Sequence, residues 1–496
     1  MNLFDQFSHG LKDKDMVTSL REGLIGDDAV IDGPYGPKPL VYADYVASGR
    51  ALRQVEAFIY DRVLPFYANS HTETSYCGAF CTELREQARE IIARTTGAGA
   101  DCRVIFTGSG ATSGLNRIVH LLGVAERVRK GEKVRIFVGP YEHHSNLLPW
   151  RESGAEVIEV AEAASGGPDI DVLEELLAEA SGYDMVVGSF SAASNVSGIV
   201  TDTDMVTALL KRYGAYAIWD FAGGAPYLPM QMEPRSECRK DAIIFSAHKF
   251  PGGPGASGVT VLRNSVVKTT IPTMPGGGSV RYVTPWGHGY SRDVAEREEA
   301  GTPNIIGDIR AALVMLIKEA VGNAFITKRG EELGQQALAV WANNPAIEIL
   351  GNCDAQRKLP IFSFRIRSST REMIHHQLFT QMLSDVWGIQ ARGGCACAGP
   401  YGHRLLDIGR SASDDILELL DDACEIEKPG WVRLNFSYLL SDEKAEYIIR
   451  AVDDLARRAN MFAADYVALG STGRFEYRGA VNAAAERLRV RESTHE

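Results

Sequence analysis

The sequence predicts an α/β protein: a mostly parallel seven-stranded sheet flanked by helices, followed by a smaller α+β domain. Three observations carry that reading. Seven short apolar runs recur through the centre of the chain, helix-like amphipathic stretches separate several of them, and the runs are apolar almost throughout rather than alternating. Strands buried on both faces have that composition, and parallel crossovers are what place helices on both faces of a sheet.

Taken in order, "CRVIFTGSG" is a strand closed by a glycine turn, and it leads into the helical pattern "ATSGLNRIVHLLGVAERV". "KVRIFVGP", "AEVIEV", "DMVVGSF", "AYAIWDFA", "DAIIFSAH" and "SGVTVLR" supply the other strands, with "DTDMVTALLKRYG" as one of the intervening helices. These elements define a large domain over residues 51–322. "KLPIFSFRIR", a helical stretch from Glu372 to Trp387, and "WVRLNFSYLL" then predict a small domain over 323–458. Residues 1–50 are expected to pack on both domains, and 459–496 form an extension whose pattern assigns it no role.

Composition sets the class. A hydrophobic fraction of 45% and a charged fraction of 23% are those of a soluble globular protein. A net charge of -12 without any basic block argues against nucleic acid as a partner. No apolar run is long enough to span a bilayer, and "MNLFDQFSHGLKDKD" lacks the basic flank and apolar run of a signal peptide. Eight scattered cysteines do not make a disulfide scaffold, so a cytoplasmic location is expected.

Chemistry enters at "FSAHKFPGGPG", where Lys249 follows a strand and precedes a glycine- and proline-rich loop. A lone lysine at a strand end is ordinarily a surface residue, but one held in a shaped pocket can form a Schiff base with an aldehyde. Pyridoxal phosphate is the obvious aldehyde, and it needs a phosphate cradle, a carboxylate for its pyridine nitrogen and a stacking group. "FTGSGAT" offers backbone N–H groups at a helix start around Gly110 and Ala111, with the Thr112 hydroxyl beside them. Asp220 ends the strand "AIWD", and His143 and His144 follow another. No third ligand at regular spacing accompanies that histidine pair, so no metal site is expected.

With these pieces in order, the sequence resembles the class V aminotransferase branch of fold-type I pyridoxal-phosphate enzymes. Within it the resemblance is closest to SUF-type cysteine desulfurases and selenocysteine lyases. "EHHSNLLPW", "SNVSG", "FSAHKFPGGPGASG", "PGGGSV" and "EEAGTPN" carry it, in consistent order from about Tyr42 to Asn435. The resemblance implies that Lys249 is the Schiff-base lysine, that Asp220 pairs with the pyridine nitrogen, and that His143 stacks on the ring. It implies further that Asn195 reaches the ring hydroxyl and that Thr112, Ser246 and His248 hold the phosphate. Thr302 would reach the phosphate of a neighbouring subunit, which implies a homodimer. Arg433 in "WVRLNFS" matches the arginine that clamps an α-carboxylate, and Arg392 and Asn195 join it in facing the substrate. The sequence departs from the family at Gly223, where a glutamine is usual, and at Ala111, where a second threonine is usual; it also runs on past the usual end.

In "RGGCACAGP" a zinc site would need two more ligands, and a disulfide between residues two apart would strain the loop. Aligned on Arg392 and Gly394, the resemblance places Cys397 on the desulfurases' nucleophile, and the "CAC" spacing is similar to the sulfurase domain of molybdenum cofactor sulfurases. Cys395 fills the loop. The implied reaction takes sulfur from L-cysteine, or a related sulfur or selenium amino acid, onto Cys397 and leaves alanine, with a sulfur-acceptor protein as a possible further partner. Transamination, racemisation, another C–S or kynureninase-like C–C cleavage, and a non-catalytic scaffold are the alternatives.

Overall fold

The computed structural model describes residues 2–12, 15–70 and 72–479. Residues 480–496 of the predicted extension lie outside the described residues. The chain divides into two compact units: Met1–Ile25, Val46–Arg329 and Asp354–Leu359 form the first, and Gly26–Tyr45, Gly330–Cys353 and Pro360–Glu496 the second. The opening fifty residues are divided, 1–25 and 46–50 going to the large unit and 26–45 to the small one. The division at Arg329 falls inside the helix Asn323–Trp341.

All seven apolar runs are strands of one sheet. They are β1 (Cys102–Phe106), β2 (Val134–Val138), β3 (Glu156–Glu159), β4 (Met185–Ser191), β5 (Tyr216–Asp220), β6 (Ala242–Ser246) and β7 (Gly258–Arg263). The spatial order is β1-β7-β6-β5-β4-β2-β3. β7 runs antiparallel to both its neighbours, and the remaining pairings are parallel. The other six strands thus end on one edge, where sheets of this kind bind ligands. β5, β6 and β7 are almost wholly buried because helices cover both faces. Trp219 on β5 is fully buried, and its indole N–H donates to Thr207 Oγ1 at 2.9 Å, tying the helix Thr203–Arg212 to the sheet. The long helical pattern after β1 is two helices, Gly110–Leu121 and Val124–Arg129, because Gly123 at φ 69° breaks it.

The small unit is built on a second sheet of five strands: β8 (Ile347–Ile349), β9 (Ile361–Arg367), β10 (Met373–Ile374), β11 (Arg392–Gly394) and β12 (Trp431–Asn435). The order is β8-β9-β12-β11, with β10 pairing β9. Its core gathers Trp341, Phe362, Phe364, Phe379 and Phe436, and the Trp341 indole donates to the Ile449 carbonyl at 3.0 Å. The predicted helix after "KLPIFSFRIR" spans His376–Trp387, its first expected residues forming β10 instead.

Residues 459–479 are ordered in this unit. The helix Asp442–Ala463 runs past 458, and Tyr466–Leu469 pairs with Arg474–Tyr477 as a hairpin. Tyr466 is buried and donates its hydroxyl to Asp385 at 2.9 Å, while Tyr35 donates to Asp465 at 2.7 Å and packs edge-on against Tyr477. The hairpin is thus a built part of the small unit. Tyr466→Ala should lower stability by on the order of 3 kcal/mol, read as a fall in Tm, since it empties a buried aromatic position and leaves Asp385 without that hydroxyl.

Candidate active site

The turn after β1 is shaped by glycine. Gly108 and Gly110 hold φ of 66° and 63°, conformations that favour glycine. Thr107 N–H donates to the Gly258 carbonyl at 2.8 Å and Gly258 N–H to that of Gly108 at 3.0 Å, so the turn is stitched to the start of β7. A side chain on Gly110 would strike Ser246 Oγ at 2.7 Å and approach His248 Cε1 at 3.2 Å, whereas one on Gly108 would meet open space. Ser246 Oγ accepts from the Ala111 N–H at 2.9 Å. Gly110, Ala111, Ser246 and His248 therefore surround one concave backbone turn at the N-terminus of a twelve-residue helix.

Asp220 ends β5 with 4% of its surface exposed. Its Oδ1 accepts from the Ala222 N–H at 2.7 Å. Burial raises its pKa, while that hydrogen bond and the positive charge of Lys249 oppose the rise. Lys249 lies half-buried in a single 3₁₀ turn directly after β6. His248 is pulled below the ordinary histidine range by burial first and by Lys249 second. Asn195 is buried, and a side chain built on Gly223 would come within 3.7 Å of its Cβ, so the missing family glutamine leaves space beside Asn195.

His143 follows β2 and is held by its own turn. Its Nδ1 accepts from the Ser145 N–H at 3.1 Å and meets Ser145 Oγ at 3.0 Å, and Ser145 Oγ meets Thr112 Oγ1 at 2.6 Å. Ser145 thus links two predicted site residues, and its position two after His143 in "EHHS" was the only signal for it. Beneath the turn lies the buried Glu142, whose carboxylate accepts from the Gly139 and Ser191 N–H groups, the Ser191 hydroxyl and the Asn146 amide. Burial pushes the Glu142 carboxyl up to about 7.

In the small unit, Arg433 on β12 stands opposite Arg392 on β11. Asp44 takes both: its Oδ1 accepts from an Arg433 terminal nitrogen at 2.8 Å, and its Oδ2 from Arg392 Nε at 2.9 Å. Nothing near Asp44 in the sequence foretells this. Past β11, Cys395 to Ala398 form a tight turn closed by the Ala398 N–H on the Cys395 carbonyl at 3.2 Å. Both central residues, Ala396 and Cys397, have positive φ, at 53° and 56°. Cys397 is exposed at the apex and Cys395 half-buried at its base. Thr302 lies in an exposed loop that the Gly301 N–H ties to the Gly277 carbonyl at 2.7 Å, which brings "PGGGS" and "EAGTPN" together. Among the described residues no cluster of three or more histidine, cysteine or acidic side chains is arranged for a metal ion.

The aminotransferase class-V family model matches residues 41–411. The chain belongs to this family. A probable cysteine desulfurase of Halalkalibacterium halodurans is 27% identical over 388 residues, covering 77% of this chain and 90% of the relative. Another, from Mycobacterium leprae, is also 27% identical, over 394 residues that cover 77% of this chain and 60% of that longer protein. The apo structure of a cysteine desulfurase from Thermococcus onnurineus superposes with a TM-score of 0.70 at 23% identity, covering 84% of this chain and 94% of that one, and shows the fold to be shared. Class-V aminotransferases are pyridoxal-phosphate-dependent, and the residues present fit that cofactor. The open turn at Gly108 leaves room for a phosphate, and the buried Asp220 carboxylate calls for a cationic partner beyond Lys249. Gly258→Ala should disturb this cradle, because the new methyl would lie 2.5 Å from Gly110 Cα and 2.7 Å from Gly110 N and C, backbone atoms that cannot swing away. We expect a stability loss of about 1–3 kcal/mol and weaker cofactor retention on gel filtration.

Proposed function

We propose that the protein is a cysteine desulfurase-like enzyme, transferring sulfur from L-cysteine, or a related sulfur or selenium amino acid, to Cys397 and releasing alanine. The observation that carries this reading is the exposed Cys397 at the tip of a strained turn, directly after the strand that bears Arg392, which pairs with the strand that bears Arg433. Transamination, racemisation and carbon–carbon cleavage have no use for a thiol presented in this way.

Asp220 and Lys249, with Gly110, Ala111, Thr112, Ser246 and His248 at the turn, would hold pyridoxal phosphate, which supplies an aldehyde for the substrate's amino group and a sink for electrons at its α-carbon. Arg433 binds the α-carboxylate through charge-assisted hydrogen bonds. Lys249 Nζ would move the α-proton, and His143, fixed by Ser145, would lie against the bound cofactor and exchange a proton at the substrate. The Cys397 thiolate attacks the substrate sulfur, so that an S–S bond forms on the enzyme as the Cβ–S bond breaks. The electron pair of the broken bond stays with the carbon fragment, which gains protons and leaves as alanine. Asn195 supports the ring with the space at Gly223 beside it. In a homodimer, Thr302 on its exposed loop would serve the phosphate of the partner subunit. Eight free cysteines support a reducing, cytoplasmic setting, and no described helix is long and apolar enough to cross a membrane.

Lys249→Ala should abolish borohydride-dependent fixation of the cofactor while leaving the circular dichroism spectrum unchanged; labelling of a different lysine would move the attachment site. Arg433→Ala should cost on the order of 2–4 kcal/mol in kcat/KM toward L-cysteine, tens- to hundreds-fold. Cys397→Ser should keep the cofactor but release little alanine or sulfide, and Cys395→Ser should do much less. Mass spectrometry after L-cysteine should find added sulfur on the wild-type peptide containing Cys397. Sulfide release by Cys397→Ser at the wild-type rate would sink the assignment.

A further inference from the structure

The pairing of Arg392 with Arg433 poses an electrostatic problem within the small unit. Like charges directly opposite on antiparallel strands destabilise the pair, and these two are register partners on β11 and β12. Asp44 answers it with one oxygen for each guanidinium. The side chains of Arg433 and Asp44 are 4% and 10% exposed, so their interaction is little screened, while Arg392 is 49% exposed. Asp44 is also held firmly in place. The preceding Ala43 donates its N–H to the Gln390 carbonyl at 2.9 Å and accepts from the Asn435 N–H at 2.8 Å, so the chain leading to Asp44 is sewn to the segments that carry both arginines.

Two guanidinium groups and one carboxylate sum to a single positive charge, the complement of one substrate carboxylate. We propose that Asp44 is a specificity-determining residue, which by dividing its oxygens between Arg433 and Arg392 matches the pair to amino acids with one acid group and disfavours those with a second. The inference rests on the proposed function only in taking Arg433 as the carboxylate-binding residue. Removing Asp44 raises the sum to two and invites a second acid group. Removing Arg392 lowers it to zero and leaves Arg433 committed to Asp44.

The test is equilibrium binding of L-alanine and L-aspartate to the holoenzyme, read from the change in cofactor absorbance, so that no sulfur chemistry is needed. Wild type should prefer L-alanine. Asp44→Asn should shift the affinity ratio about tenfold toward L-aspartate. Arg392→Gln should weaken both ligands about tenfold, and Asp44→Asn combined with Arg392→Gln, which restores the single positive charge, should return the ratio toward that of wild type. A purely structural ion pair would give no such return. Asp44→Asn takes a carboxylate from a buried arginine and could prevent folding; in that event Arg392→Gln, altering a half-exposed side chain, carries the test through its loss of L-alanine affinity. An unmoved ratio in folded Asp44→Asn, or unchanged affinity in Arg392→Gln, overturns the proposal. If these shifts appear while wild type releases no sulfide from L-cysteine, the desulfurase reading fails and the role of Asp44 stands.

Discussion

A carboxylate buried at the end of a central strand is the constraint on which the large unit's chemistry depends. Withdrawing Asp220 from water costs several kcal/mol unless opposite charge or hydrogen bonds compensate. The Ala222 N–H and the charge of Lys249 offset part of that cost, and the raised pKa records the remainder. The sheet fixes why the carboxylate and the lysine share a neighbourhood. β5 and β6 are adjacent and parallel, so the residue ending one strand and the turn following the other emerge on one edge. Ser246 ends β6 and reaches the helix that follows β1, because β7 joins those two strands across a start made of glycine. A family cofactor that carries a phosphate at one end and a protonatable ring nitrogen at the other meets both demands of this edge.

Much of this was legible because the signals are local. The strands of the large sheet announce themselves as apolar runs, most plainly β5, β6 and β7, where burial on both faces removes the alternation that would make a strand harder to tell from a loop. Lys249, Asp220 and the "TGSG" turn sit immediately after such runs, so their positions on the ligand edge follow from the strand assignment. Residues whose meaning comes from distant partners were not legible. Asp44 meets Arg433 across 389 positions of sequence. Glu142 reads as one acid in a polar turn, yet two of its four hydrogen-bond donors belong to Ser191, 49 positions away. The terminal hairpin shows no strong periodicity because Tyr35 and Asp385, far upstream, supply the partners that order it.

The cysteine turn extends the same logic to backbone strain. Residues with side chains pay about 1–2 kcal/mol for the left-handed conformation, and both Ala396 and Cys397 adopt it. Glycine at either position would relieve the strain, and turns of this hand ordinarily use it. The surroundings impose the turn regardless. β11 is paired to β12 on the side before it, the Gln377 amide donates to the Gly393 carbonyl at 3.2 Å, and a helix with Pro400 in its first turn begins at Gly399 directly after. A position that backbone energetics would assign to glycine is instead occupied by an exposed cysteine. Packing accounts for little of that choice, because Cys397 is exposed. Under the proposed function the side chain at Cys397 adds a nucleophile to a short tip between β11 and a helix, and the conformational cost of two successive left-handed residues is the physical argument for reading the turn as one that presents sulfur.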